Sequence, residues 1–314
     1  MRTFAPTAVV APPFHPRASP YEPVLARASV RWAARHGLAA DPDAAQRLRR
    51  ANAAELAARA APDANPTGLQ LLSDLITWLF ALDDVCDEDG IGADPGRISP
   101  LVSVLMQVLD QLGEPAGAPA TDRPPLATAL ADICGRIRRQ GRPGALLRFA
   151  ASLHHYLFAL VWEAGNREQG RVPTVAEYVQ MRRHTGAVLP SFALTDLAGG
   201  GLPHSRHRVD PKLARLNTVA ADLVCWCNDL FSYDKERDQD NHNLAAVIAH
   251  QTGQDPVNAL ADAVTAFNDG LALYLRLQAE VLADAPPPVV RLVAARRHWI
   301  RGTYDWSMNS SRYQ

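Results

Sequence analysis

Several things this sequence lacks narrow what it can be. Nothing in it approaches 18 consecutive apolar residues, so no membrane-spanning helix is expected. A net charge of −1 leaves no basic footprint for nucleic acid and no polybasic membrane anchor. Cysteine is sparse: Cys86, Cys134, Cys225 and Cys227 form neither a CxxC pair nor the spacing of a secreted disulfide framework. The mildly apolar start is interrupted by prolines and followed by no small-residue cleavage site, which argues against a signal peptide. A cytoplasmic protein with reduced thiols is the expectation. Internal repeats are missing, and alternating strand patterns are nearly absent.

What remains is helix. Ala and Leu dominate, and apolar residues recur at three- and four-residue spacings. Residues 1–20 are Pro-rich and read as an extended segment. Helices are expected near 21–36, 41–60, 67–86, 100–112, 125–139, 144–165, 174–197, 211–237, 243–251, 256–284 and 287–306, separated by Gly- and Pro-containing breakers. Thr174 with Glu177 forms a capping box after Pro173. With 47% apolar residues and no linker, the 314 residues predict one all-α domain.

Two polar stretches stand out against this background. The first is LFALDDVCDEDG, residues 79–90, with five acidic residues among seven positions directly after an apolar helix. Asp83 and Asp87 are four apart and share a face, while Asp84 is turned about 100° away. Carboxylates at a helix C-terminus are repelled both by each other and by the helix dipole. A divalent cation reverses both signs, and Mg²⁺ takes one or two carboxylates with water and phosphate oxygens. The bland alternative is a solvated acidic loop.

The second stretch is NDLFSYDKE, residues 228–236. Asn228, Ser232 and Glu236 lie at i, i+4 and i+8, a stripe of oxygen donors about 12 Å long. Lys235 sits beside it, within reach of a phosphate oxygen. A solvent-facing stripe is the alternative here. Two such stripes on separate apolar helices are harder to dismiss than either alone.

Taken together, these residues resemble the motifs of bacterial class I terpene synthases (terpene cyclases). DDVCD resembles their aspartate-rich motif, and NDLFSYDKE their Asn-Asp-x-x-Ser-x-x-x-Glu motif. Arg182 in MRRHTG lies 46 residues before Asn228, where the family places a diphosphate-sensing arginine. Arg312-Tyr313 stand where it has a C-terminal Arg-Tyr pair. The resemblance spans residues 83–313.

It implies a single-domain α-helical bundle around a central apolar cavity. It also implies Mg²⁺-dependent ionisation and cyclisation of a linear isoprenoid diphosphate, with three ions and with Mn²⁺ able to substitute. Asp83, Asp84 and Asp87 on one side, and Asn228, Ser232 and Glu236 on the other, are the metal-ligand candidates it assigns. Arg182, Asn228, Lys235, Arg312 and Tyr313 are the candidates for holding diphosphate. Thr185 and Gly186 correspond to the family's helix-break trigger, although Thr185 stands where an acidic residue is common. The ionisation step assigns catalytic roles to Asp83, Arg182, Phe80, Trp306 and Gly186. A carbocation must be kept from water and can be stabilised by aromatic faces, which makes Trp78, Phe80, Phe192 and Trp306 pocket candidates. Each could equally be plain core.

Farnesyl diphosphate is the expected substrate. Geranyl and geranylgeranyl diphosphate remain open, as does a chain-elongating prenyltransferase, which would carry aspartates on both helices. A non-catalytic helical scaffold would instead leave Asp83 and Glu236 apart and solvated. The chain is expected to be a monomer or homodimer without nucleic-acid partners. Cys225-Trp226-Cys227 reads as core, Arg296-Arg297 as solvated charge, and Asn241, His242 and Asn243 as residues that order the loop after the second stripe.

Overall fold

Proline marks the beginnings of helices in this chain. A computed structural model describes residues 4–88, 90–114, 123–199, 209–236 and 242–310. Among them are thirteen α-helices, and no strand. They are α1 (Glu22–Arg35), α2 (Pro42–Ala51), α3 (Ala53–Ala60), α4 (Pro66–Glu88), α5 (Pro95–Asp110), α6 (Pro125–Arg139), α7 (Pro143–Glu168), α8 (Val175–Thr185), α9 (Val188–Ala198), α10 (Pro211–Glu236), α11 (Leu244–Thr252), α12 (Pro256–Leu282) and α13 (Pro287–Asn309). Eight of these open on proline, whose missing N–H and fixed φ cost nothing in a first turn. A proline there starts a helix rather than breaking one. For this reason α5 begins at Pro95, capped by Asp94, and runs through Pro100, where the sequence pattern alone predicts a start.

Two expected helices are each divided. The 41–60 segment splits at Asn52, which takes a left-handed conformation (φ 46°) that Asn tolerates. The 174–197 segment splits after Gly186, because Ala187 adopts φ 51°. A left-handed alanine costs about 1–2 kcal/mol, so packing must hold it. Ala187 is buried and lies on the cavity described below.

Apolar faces of the helices merge into one buried cluster. Within it, α3, α4, α9, α10 and α13 form a closed ring, each packed on the next. The motif helices α4 and α10 are bridged by α9, and α7 and α8 close one side. Helix α7 is long and apolar enough, by length and composition, to cross a membrane; half of its 18-residue apolar window is buried inside the fold. Residues 4–20 are extended apart from a short 3₁₀ turn at Pro6–Ala8. They cross the late helices through bonds from Phe4 N to Asp234, from Val10 N to Asn268 and from Arg301 to the Pro12 carbonyl.

Candidate active site

The ring of helices encloses a cavity of about 670 Å³. Asp83 and Asp87 from α4 line it, as do Asn228, Lys235 and Glu236 from α10 and Arg182 from α8. The two polar stretches, 141 residues apart from Asp87 to Asn228, therefore open on one space. Its walls are apolar: Leu56, Ile76, Leu79, Leu160, Val188 and Val224, with Phe80, Trp299 and Trp306. Phe80 stacks on Trp306 with ring centroids 6.0 Å apart.

Arg182 is held by its neighbours on α10. Its Nε donates to Asp229 Oδ1 and its Nη2 to Asn228 Oδ1, both at 2.8 Å. Arginine can only donate, so the Asn228 amide must turn its oxygen toward it. Asp229 is also the acceptor for the Tyr178 hydroxyl, at 2.7 Å. Burial pulls the Arg182 pKa down, but the adjacent Asp229 carboxylate pushes it further up, so the guanidinium stays charged. The helix carrying it is fixed at its start by the Thr174–Glu177 capping box and clasped near its end by Arg183, which grips both oxygens of Asp222 on α10.

Glu236 ends α10. Burial pushes its pKa up to about 7; a hydrogen bond from Asn243 opposes that shift, and the charge of Asp229 adds to it. A half-buried carboxylate on the cavity lining, with the Asn228 amide two turns earlier on the same stripe, suits a hard cation. Asp83 and Asp87 are exposed to the same cavity, and Cys86 between them is kept a neutral thiol, pushed up to about 12 by burial. The donor set is all oxygen, as Mg²⁺ prefers.

Four candidates depart from the sequence reading. Asp84 does not line the cavity; it faces α2 and meets Arg47 Nε at 3.4 Å, the consequence of its 100° turn from Asp83. Ser232 is 1% exposed and is not on the lining; its hydroxyl lies 3.4 Å from the Asp229 carbonyl. Trp78 points into the core, where its indole donates to the Leu126 carbonyl. Phe192 sits behind the wall, against Trp299 and under the Arg296 guanidinium. That arginine is not solvated charge: it is 3% exposed and paired with Asp196. Thr185 and Gly186 do line the cavity. Arg312, Tyr313 and Asn241 lie outside the described residues.

Residues not singled out also line it. Tyr156, Glu163 and Arg167 fall on one face of α7, and Glu163 stands as a lone acid in the apolar run LFALVWEAG. Trp299 is seven residues, two turns, before Trp306, a spacing that could have found it.

Residues 74–271 match the sequence profile described as "Terpene synthase family 2, C-terminal metal binding". The chain belongs to the terpene synthase family. The matched segment contains both polar stretches and Arg182, and it is the part of the family described as metal binding. This family member is similar to a 4-epi-cubebol synthase ((2E,6E)-farnesyl diphosphate cyclizing) of Streptosporangium roseum, 33% identical over 304 residues, covering 96% of this chain and 90% of that one. It is 34% identical over 307 residues to a (+)-T-muurolol synthase ((2E,6E)-farnesyl diphosphate cyclizing) of Roseiflexus castenholzii, covering 96% and 92%. Among solved structures, a single-residue variant of cucumene synthase superposes with a TM-score of 0.81 at 27% identity, covering 96% of this chain and 99% of that one.

Proposed function

We propose that this chain is a sesquiterpene synthase of one catalytic domain. It ionises farnesyl diphosphate, cyclises the resulting cation and releases diphosphate. The observation that carries the reading is the cavity: oxygen ligands from α4 and α10, the cations Arg182 and Lys235, and apolar and aromatic side chains all line one space. The relatives named as cyclising farnesyl diphosphate support the C15 substrate.

The chemistry divides between the two kinds of lining. Asp83, Asp87, Asn228 and Glu236 are the proposed ligands for Mg²⁺, three ions in all, with Ser232 supporting Glu236 from the core. When bound, Mg²⁺ supplies Lewis-acid neutralisation of the departing diphosphate. Arg182 and Lys235 donate to phosphate oxygens, Arg182 with a planar fork that matches two of them. Such preplaced donors act where charge develops and need no reorganisation during bond cleavage. Phe80, Trp299 and Trp306 present π-faces to the cation, each worth about 0.5–2 kcal/mol. The apolar walls keep water from it. A cytoplasmic location is proposed as well, supported by four free, buried cysteines.

The test is product analysis. Purified protein incubated with Mg²⁺ and, in parallel, geranyl, farnesyl or geranylgeranyl diphosphate should yield a cyclic C15 hydrocarbon or alcohol from farnesyl diphosphate. Gas chromatography with mass spectrometry would read it. EDTA and Asp83→Ala should each abolish the product. Recovery of intact substrate in all three reactions would overturn the reading; product from the C10 or C20 substrate alone would replace the substrate.

A further inference from the structure

Glu236 is the last described residue of α10 and lines the cavity. What fixes it comes from the next element. Asn243 is 1% exposed, and its amide is fully engaged. One Nδ2 contact goes to the Asp229 carbonyl at 2.8 Å and the other to Glu236 Oε2 at 3.1 Å. Its Oδ1 accepts from Ala245 N at 3.1 Å, which makes Asn243 the N-cap of α11. An asparagine amide has two donor hydrogens and one carbonyl oxygen. All are assigned here, and reversing the amide would place an oxygen against two oxygens. The orientation is therefore forced.

We infer that Asn243 is a positioning residue for the metal-binding carboxylate of Glu236. It ties one carboxylate oxygen to a rigid point on the α10 backbone, the Asp229 carbonyl, and so aims the group at the cavity before any ion arrives. The residue before it contributes to the same rigidity: the His242 carbonyl lies 3.1 Å from the Tyr178 hydroxyl, and Tyr178 also holds Asp229. The short side chain of Asn243 reaches both acceptors while capping α11. Serine and threonine can still cap, but their single hydroxyl cannot span both acceptors as well. The inference rests on the proposed role of Glu236 as a ligand.

Partners behind metal ligands cost about 10–100-fold in metal affinity when removed. The experiment uses the full chain with inorganic pyrophosphate present and Mn²⁺ as the probe, titrated by electron paramagnetic resonance. Thermal melts run alongside. Asn243→Ser and Asn243→Thr, both cap-competent, should raise the Mn²⁺ midpoint by about tenfold or more. Glu236→Gln should raise it at least as far. If Glu236→Gln weakens Mn²⁺ binding while a folded Asn243 variant binds with the wild-type midpoint, Asn243 only caps a helix and the inference is overturned alone. If Glu236→Gln leaves the midpoint unchanged, the ligand reading of Glu236 fails and takes the inference with it. Two variants guard against one of them failing to fold.

Discussion

Replacing Gly186 by alanine isolates a steric effect that can be worked out in advance. Gly186 has φ −74°, a backbone that alanine accepts without strain. On that count alone the substitution would stabilise the fold by about 0.4–1 kcal/mol, by restricting the unfolded chain. The added Cβ, however, would stand 2.7 Å from Cys225 Sγ and 3.0 Å from the Arg182 carbonyl oxygen. Ordinary carbon contacts sit at about 3.5–4.0 Å, so something must move by roughly 1 Å. Both neighbours are constrained, since Cys225 Sγ donates to that same Arg182 carbonyl at 3.3 Å. Overpacking of this kind costs about 1–3 kcal/mol, which outweighs the entropic gain. Net destabilisation of about 1–2 kcal/mol is expected. Denaturant melts of wild type, Gly186→Ala, Cys225→Ala and the double variant would measure it. In the Cys225→Ala background the sulfur is gone, and the penalty for Gly186→Ala should fall by about 0.5 kcal/mol or more. Stabilisation by Gly186→Ala, or the same penalty in both backgrounds, would refute the reasoning.

Arg182→Lys keeps the charge but loses the planar fork; product formation should fall by about 100-fold or more with the far-UV circular dichroism unchanged. Thr195→Val removes the acceptor of the Trp299 indole, a 2.8 Å bond in the core. The stranded N–H should cost about 1–3 kcal/mol in a melt, and release of this cavity-lining ring should alter the product profile by gas chromatography. Glu177 has its pKa lowered from 4.5, first by the Thr174 backbone N–H and then by Arg171. Its contribution to stability is therefore present above pH 4.5 and lost as pH falls through the lowered folded value. A Glu177→Gln variant should be less stable than wild type at neutral pH, with the difference shrinking in acid; a constant gap across pH would count against it.

Much of this was legible in the sequence because it follows from helical periodicity. The four-residue spacing of Asp83 and Asp87 was enough to put them on one face, and the same periodicity turned Asp84 away. Which neighbour Asp84 would then meet was not legible: Arg47 reaches it from a helix 37 residues earlier. Trp78 and Phe192 misled for a related reason. An aromatic residue in an apolar helix is equally at home in the core and on a cavity wall, and only the crossing of α4 and α9 with their neighbours decides. The helix breaks at Asn52 and Ala187 were hidden too, since each is a single left-handed residue within a good helical composition. The partners of Arg182 and Glu236, Asp229 and Asn243, are set by tertiary hydrogen bonds that no spacing encodes.

The Pro-rich segment at the start of the chain has a consequence for biosynthesis. Arg17 and Ser19 pair with the early residues Asp63 and Ala58, but the anchors of residues 4–12 are made late: Pro12 waits for Arg301, 289 residues downstream. A ribosome adding about 5–20 residues per second needs roughly 15–60 s to cover that distance. Phe4, buried in the finished fold, packs its ring on Phe231, which is itself made 227 residues later. Residues 4–12 are thus made long before the helices they dock on, and whatever shields nascent chains must tend this stretch until those helices emerge.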